Sequence, residues 1–187
     1  MLNIKHIISL TKSWLDNVII AHNICPFAKK ERDRDSIRFY VDENTEISQL
    51  LESLIIECEY LDQHPDIETT LFILAKTCQD FNDYLDFLDT ANQLLSSLNY
   101  EGTYQLASFH PEYCFAESVE NDPANYTNRS LFPMLHIIRE KSLEKVLKSY
   151  PNPELIPERN INYCRGLGLK KMQKMLADVR LSFNKQL

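Results

Sequence analysis

The sequence contains only three glycines among its 187 residues. Neither a G-x-G-x-x-G fingerprint nor a P-loop is present, because both need several glycines in one strand-to-helix turn. This scarcity argues against binding of dinucleotides or nucleoside triphosphates through such loops. The formal net charge of −7 likewise disfavours an extended basic surface for nucleic acid or for an anionic membrane.

Long apolar runs are also missing, and no segment approaches the roughly 20 apolar residues needed to span a bilayer. The first residues show helical periodicity in place of the basic region, apolar core and cleavage site of a signal peptide. The five cysteines are widely spaced and form no C-x-x-C pair, which disfavours a disulfide framework or a closed structural zinc site. We therefore expect a cytoplasmic protein with neither a membrane nor a nucleic-acid partner. No particular cofactor or oligomeric state is indicated.

Hydrophobic periodicity predicts the order of the elements. Residues 4–22 have the spacing of an amphipathic helix, and further helices are predicted over about 44–61 and 79–98, from 142 and from 168. Asn44 and Ser142 are the expected N-caps of two of them. Strands are predicted around 37–41, 69–75, 104–109 and 134–138. Three prolines between residues 150 and 157 predict a rigid linker.

This order predicts an α/β (α+β) fold, a two-layer sandwich with a roughly four-stranded mixed sheet. Helices are expected on one face, with extra N- and C-terminal helices, and a doubly wound sheet is the alternative. The chain is predicted to form a single domain over residues 1–187. Within it, residues 1–28 hold the N-terminal helix and a C-P-F-A turn, 36–149 the α/β core, and 150–187 the Pro-rich linker and C-terminal helix.

The segment from Phe109 to Glu140 is predicted to build the functional site. It is polar, it lacks helical or strand periodicity over most of its length, and it connects two predicted strands. Long polar connections within a compact domain are usually functional or disordered. Its aromatic residues argue against disorder.

Two histidines in this segment are candidates for proton transfer. His110 follows a predicted strand and is held by Pro111, a common position for a general base or metal ligand. It would alternatively cap the strand through hydrogen bonds to loop backbone. His136 lies inside an apolar strand, where it would be either an interior residue or a partner that meets His110 across neighbouring strands. Glu140 follows as a third catalytic candidate.

The stretch from residue 125 to 130 is dense in hydrogen-bonding groups. Arg129 has the planar fork that suits a carboxylate or phosphate, and Asn128 and Ser130 would complete an anion pocket. Alternatively, these side chains bond their own backbone and hold the loop rigid. The remaining predicted binding residues are Asn125 and Arg139, and Asp122 would orient Arg129 or a histidine.

Cysteines supply a different hypothesis. Cys25 precedes a proline after a helix, and Cys114 lies in the long loop. Together with His110 and His136 they are residue types that hold catalytic zinc or iron. Their spacing gives this set little support, and no metal ligand is assigned.

Several short stretches occur in a characteristic order: C-P-F-A at residues 25–28, F-H-P at 109–111, T-N-R-S at 127–130 after Asn125, P-M-L-H at 133–136, and R-E at 139–140. With Trp14 in the opening helix, this combination resembles the bacterial and plastid family catalogued as domain of unknown function 1415. The resemblance covers nearly the whole chain. One departure is Leu131-Phe132-Pro133, where the family pattern has proline, an aromatic residue and proline. The resemblance implies no established reaction, substrate or cofactor.

The mixture of His, Arg, Asn and acidic side chains fits an enzyme that acts on a small anionic metabolite. Two other hypotheses use the same part of the chain. One is a non-catalytic module that binds a ligand or a partner. The other is a metal-dependent hydrolase or redox protein with Cys and His ligands.

Overall fold

The structure is a computed structural model that describes the backbone of residues 3–184 and the side chains of residues 3–181. The predictions for residues 1–2 and 185–187 lie outside the described residues.

α1 begins after Asn3, whose side chain accepts a hydrogen bond from the His6 N–H at 2.9 Å. α1 continues directly into a π-helical turn, Leu15–Ile20. The helices are α1 Ile4–Trp14, α2 Ala28–Asp33, α3 Ile47–Gln63, α4 Phe81–Ser97, α5 Glu140–Ser149, α6 Ile156–Leu167 and α7 Leu169–Asn184, with 3-10 turns at Pro123–Thr127 and Pro153–Leu155.

Four strands form one mixed sheet in the order β1-β2-β4-β3. Their bounds are β1 Ile37–Asp42, β2 Thr69–Leu74, β3 Tyr104–Phe109 and β4 Met134–Arg139. β1 and β2 are parallel and joined through α3, whereas β4 runs antiparallel to both of its neighbours. The carboxyl ends of β1, β2 and β3 therefore meet at one edge of the sheet. The opposite edge holds their amino ends and the start of α5.

α3 and α4 cover one face of the sheet. Alternate residues of the strands point toward them, since successive side chains of a strand lie on opposite faces. β2 is buried along its whole length, as its continuous apolar run predicts. The core on this face contains the buried side chains of Phe72, Leu74, Leu135 and Ile137, packed with Leu50, Leu54, Tyr84 and Phe87.

The terminal helices cover part of the other face. Leu71 and Met134 pack there with Trp14 from the end of α1, with the π-helical turn, and with Val179 from α7. These are the extra N- and C-terminal helices of the prediction. The four-stranded mixed sheet and its helices confirm the predicted α+β fold class. The rest of this face, around Ala107 and Ile138, lies beside α5.

Three local predictions about the helices are wrong. α3 begins at Ile47 after Glu46, and the Asn44 side chain donates to Ser53 Oγ at 3.5 Å in place of capping the helix.

α5 begins at Glu140, so Ser142 lies inside its first turn and does not cap it. The Pro-rich segment gives way to α6 at Ile156, because Pro157 occupies the first turn of a helix, where a missing N–H costs nothing.

Candidate functional site

The loop after β3 folds back onto the end of that strand. The His110 N–H donates to the Asn128 carbonyl at 3.2 Å, and the Ser130 N–H donates to the His110 carbonyl at 3.3 Å. Trp14 fixes the loop to the N-terminal helix, since its indole Nε1–H donates to the Arg129 carbonyl at 3.1 Å. The predicted site segment is therefore ordered and connected to two other parts of the fold.

His110 is fully buried and has a partner on each ring nitrogen. Nδ1 accepts a hydrogen bond from the Glu112 N–H at 3.0 Å, so Nε2 carries the proton and donates to the Cys78 carbonyl at 3.1 Å. The ring packs against Phe81 and Tyr84, each with its centroid 5.1 Å away. Burial lowers the pKa of His110, which keeps the ring neutral. This geometry matches the capping alternative for His110.

Asn125 ties together the first half of the loop. Its Oδ1 accepts from the Phe115 N–H at 3.1 Å, while its Nδ2 donates to the Val119 and Glu120 carbonyls at 2.9 and 3.2 Å. The same amide contacts Cys114 Sγ at 3.7 Å. Asn125 is completely buried and Cys114 is half-buried. The Asn125 side chain therefore replaces backbone partners that the irregular loop lacks.

The donors predicted to form an anion pocket point to backbone carbonyls of the loop and of β3. Arg129 donates from Nε to the Tyr113 carbonyl at 3.0 Å and from Nη2 to the Glu120 carbonyl at 2.9 Å. Asn128 Nδ2 donates to the Ser108 carbonyl at 3.0 Å, and Ser130 Oγ donates to the Phe132 carbonyl at 2.6 Å. These bonds match the alternative in which the side chains hold the loop rigid. A contact between these residues and an anion stays a prediction.

Asp122 joins the loop to α6. Its carboxylate accepts hydrogen bonds from Arg165, the shorter at 2.6 Å, and from the Ala124 N–H at 2.9 Å. Two hydrogen bonds hold the pKa of the Asp122 carboxyl well below its usual range. The larger effect comes from the Arg165 guanidinium and the smaller from the Ala124 N–H. Asp122 thus has Arg165 as its cationic partner, and within the described residues its carboxylate forms no hydrogen bond or ion pair with Arg129 or a histidine, contrary to the predicted orienting role.

Arg139 and Glu140 lie at the junction of β4 and α5. The Arg139 guanidinium donates to the carbonyls of Leu61 and Ile67, around the end of α3, and to the Tyr104 hydroxyl at 3.1 Å. The Glu140 N–H donates to the Thr103 carbonyl at 3.0 Å. Arg139 therefore connects α3 to the sheet, and Glu140 begins α5.

His136 lies on the opposite side of the sheet from His110. Its neighbours across the sheet are Leu71 and Ala107, and its ring is 6.4 Å from that of Phe109. The hypothesis that the two histidine rings meet across neighbouring strands is therefore wrong. Among the described residues, nothing forms a hydrogen bond with the half-buried His136 ring. Burial lowers its pKa to about 4, so the ring is neutral at pH 7.

His136 lies in the wall of a cavity of about 610 Å³, which we call the sheet–α5 cavity. One wall is the sheet face that carries His136, and the others are the π-helical turn, the C-P-F-A turn, α2 and α5. Most of the wall is apolar. Its larger apolar side chains are Trp14, Leu15, Ile19, Phe27, Leu71 and Phe109.

Cys25 shares this cavity with His136, whereas Cys114 and His110 lie in the loop beyond β3. Cys25 is half-buried, and desolvation raises the pKa of its thiol despite hydrogen bonds from the backbone of Phe27 and Ala28. The thiol is therefore protonated at neutral pH. Within residues 3–181, no three His, Cys, Asp or Glu side chains are grouped in a way that would hold a metal ion.

Charged side chains surround the opening of the cavity. Lys30, Arg34 and Lys145 line it and are exposed, which places the opening between α2 and α5. Glu31 accepts from Arg34 Nη1 at 3.3 Å and lies 3.8 Å from Lys30 Nζ. Glu68 also lines the cavity, and its Oε1 is buried without a partner among the described residues.

His136 and Cys25 are both candidates predicted from the sequence, but the cavity that both residues line is not. Phe27 and Ala107 also form part of the cavity wall, as do the α5 side chains of Leu143 and Val146. One signal was available in the sequence. Ala107 is a small residue facing the same side as His136 on the neighbouring strand, so this part of the face leaves space that larger side chains would fill.

Comparison with known proteins places the chain in a family. The model described as "Protein of unknown function (DUF1415)" matches residues 6–174, which include β1 to β4, the long loop and α5. No curated protein and no solved structure matches the chain significantly. None of the helices within the described residues has the length and apolar character needed to cross a membrane. On the strength of the match over residues 6–174, the chain belongs to the DUF1415 family.

Proposed function

We propose that this protein binds a small, mostly apolar molecule in the sheet–α5 cavity. The observation that carries the proposal is a half-buried His136, without a hydrogen-bond partner among the described residues, in the wall of an apolar cavity of about 610 Å³. Ligand pockets typically have volumes of about 300–1,000 Å³ and combine apolar walls with a few polar groups. The sheet–α5 cavity has both properties.

His136 is the polar contact that this ligand would use. A neutral imidazole offers one N–H donor and one acceptor nitrogen. The His136 ring faces the cavity, so a ligand with a hydroxyl, amide or carboxyl group could form a hydrogen bond with it, typically worth about 0.5–1.5 kcal/mol. The strand also fixes His136 in position, because its backbone pairs with β2 and β3 on both sides.

Ligand binding accounts for the properties of His136 better than a role in proton transfer does. A general base works best when its pKa is near the working pH, and the pKa of His136 is only about 4. The other predicted catalytic histidine, His110, has both ring nitrogens engaged by backbone groups. The geometry therefore favours a ligand-binding protein over an enzyme that relies on these two residues as bases.

We further propose that the protein works in the cytoplasm. All five cysteines are free, and three of them are buried. Free thiols in such number suit a reducing compartment, where disulfides rarely form.

The test is a binding measurement with Nile red, an uncharged dye whose fluorescence rises in apolar surroundings. We expect saturable binding to the wild type. Ala107→Trp places an indole in the cavity and should weaken binding at least about tenfold, because the dye and the side chain would compete for one volume. Gln93→Trp is the matched control, since residue 93 is exposed on α4, which covers the other face of the sheet.

Circular dichroism and thermal unfolding of both variants would establish that they remain folded. A folded Ala107→Trp variant that binds Nile red as tightly as the wild type would contradict the proposal, as would a wild type without saturable binding.

A further inference from the structure

We infer that the ligand of the sheet–α5 cavity is an amphipathic anion, with its apolar body inside and its anionic group at the opening between α2 and α5, beside Lys145. This inference rests on the proposed function and names the class of ligand. Its evidence is the distribution of charge around the cavity.

The opening has a cationic excess, although the whole chain is acidic. Three cationic side chains line the cavity, namely Lys30, Arg34 and Lys145, against the two carboxylates of Glu31 and Glu68. The chain as a whole carries a formal net charge of −7. A local excess of the opposite sign favours an anionic group at this place over a cationic one.

Glu31 is already compensated within the protein. Its carboxylate accepts from Ser36 Oγ at 2.7 Å and from Arg34 Nη1 at 3.3 Å, and Lys30 Nζ lies 3.8 Å away. An incoming anion would therefore meet little repulsion from Glu31. This leaves Glu68 as the acidic group on the wall that an anion must avoid, and Lys145 as the cation available to attract it.

Lys145 has no ion pair or hydrogen bond among the described residues. The neighbouring carboxylate on α5, Glu144, pairs with Lys148 at 3.2 Å. Ser142, Lys145 and Ser149 are spaced by three and four residues, so they share the face of α5 that lines the cavity. The ammonium group of Lys145 is thus next to the opening and unpaired there.

The interior suits the apolar part of such a molecule. At the carboxyl edge of β3, Trp14 and Phe109 pack edge to face with ring centroids 5.3 Å apart. From there the wall passes His136 in the middle of the sheet and reaches Thr69 and Ile138 at the opposite edge. An extended hydrocarbon body would therefore contact apolar surface along the sheet, and a hydroxyl or carbonyl group carried on that body could pair with His136.

The experiment measures displacement of Nile red by three ten-carbon compounds: decanoate, 1-decanol and decyltrimethylammonium. At low ionic strength and pH 7.5 we expect decanoate to bind at least about fivefold more tightly than the ammonium compound. Lys145→Gln should weaken decanoate binding about two- to fivefold, the range for one exposed ion pair, without changing the affinity for 1-decanol. Lys141→Gln is the matched control, because Lys141 is exposed on the same helix but does not line the cavity.

The outcomes separate the two proposals. If 1-decanol displaces the dye but Lys145→Gln leaves decanoate affinity unchanged, or if the ammonium compound binds as tightly as decanoate, the inference of an anionic ligand is overturned and the proposed function stands. If none of the three compounds displaces the dye, and Ala107→Trp binds it like the wild type, both proposals are overturned.

Discussion

The rings of His110 and His136 lie on opposite faces of the sheet, although Ala107, three residues before His110, is the direct neighbour of His136 across β3 and β4. His110 is enclosed by Phe81, Tyr84 and the Cys78 carbonyl beside α4. His136 instead faces the sheet–α5 cavity. The two histidines therefore belong to different parts of the protein, one to the structure of the long loop and one to the proposed binding site.

His136 is expected to make stability depend on pH. Its pKa of about 4 in the folded protein lies below the ordinary value of 6.5, so the unfolded chain binds the proton more readily between these values. The contribution of the neutral ring is complete above about pH 6.5 and is lost as the pH falls toward 4. Between pH 7 and pH 4.5 the free energy of unfolding of the wild type should therefore fall by about 2–3 kcal/mol more than that of His136→Leu.

Urea denaturation at a series of pH values measures this effect. His136→Asn serves as a second non-titrating variant, because it separates loss of the titration from a change in packing. If both variants keep the pH dependence of the wild type, the assignment to His136 is wrong.

The order of strands and helices follows from the sequence because it depends on side-chain periodicity. The continuous apolar run in β2 and the helical spacing in α1 both reflect which faces are buried. The sequence does not indicate the start of α6, because Pro153 and Pro157 lie close to it and proline is compatible with a first helical turn as well as with a linker.

The role of the polar loop residues was less predictable for a physical reason. Asn125 and Arg129 were selected because their side chains carry donors, but their partners are backbone carbonyls such as those of Tyr113 and Glu120. Every residue has such a carbonyl, so sequence gives no sign of which ones will come within reach. The cavity is only partly visible in the sequence: Ala107 is a small residue, but the space over Ala107 and His136 depends on where α5 packs.

Asn125 is expected to be a structural residue of the loop. Asn125→Ala removes the acceptor for the Phe115 N–H and the donor for two carbonyls, all in a fully buried position. We expect the free energy of unfolding to fall by about 2–3 kcal/mol, because buried groups are left unsatisfied. Chemical denaturation measures the loss, and limited proteolysis should show faster cleavage between residues 111 and 122. Asn92→Ala on the exposed side of α4, which loses one surface bond to Leu88, should change stability by less than about 0.5 kcal/mol.

Arg139 is expected to stabilise the fold through the shape of its guanidinium group. It donates to carbonyls at the end of α3 and to the Tyr104 hydroxyl at once, which a lysine ammonium on a flexible chain cannot reproduce. Arg139→Lys should therefore lower the free energy of unfolding by about 2 kcal/mol. Arg165→Lys is the control, since the arginine of the Arg165–Asp122 pair is exposed and its replacement should lower stability less than Arg139→Lys does. If Arg139→Lys lowers the free energy of unfolding no more than the control does, the positive charge alone is what matters at residue 139.

α5 is expected to be the movable wall of the sheet–α5 cavity. No residue of α5 is buried, whereas α4 buries Tyr84, Phe87, Ala91 and Leu95. Local opening has a lower free energy where few apolar contacts must be broken. Both ends of α5 are nevertheless held, one by Arg139 and the other by Tyr150, whose ring packs 5.3 Å from that of Phe27. We expect amide hydrogens of residues 144–149 to exchange at least about tenfold faster than those of residues 85–97 of α4.

Saturating decanoate should then slow exchange in α5 and leave α4 unchanged, because the ligand would add apolar contacts to Leu143 and Val146 on the cavity side of α5. Hydrogen exchange measured by mass spectrometry resolves the two helices as separate peptides. Exchange in α5 as slow as in α4 without ligand would show a rigid wall, and entry of a ligand would then require movement of α2. Fast exchange in α5 that decanoate does not change, at concentrations that displace Nile red, would show that the bound molecule lies away from α5.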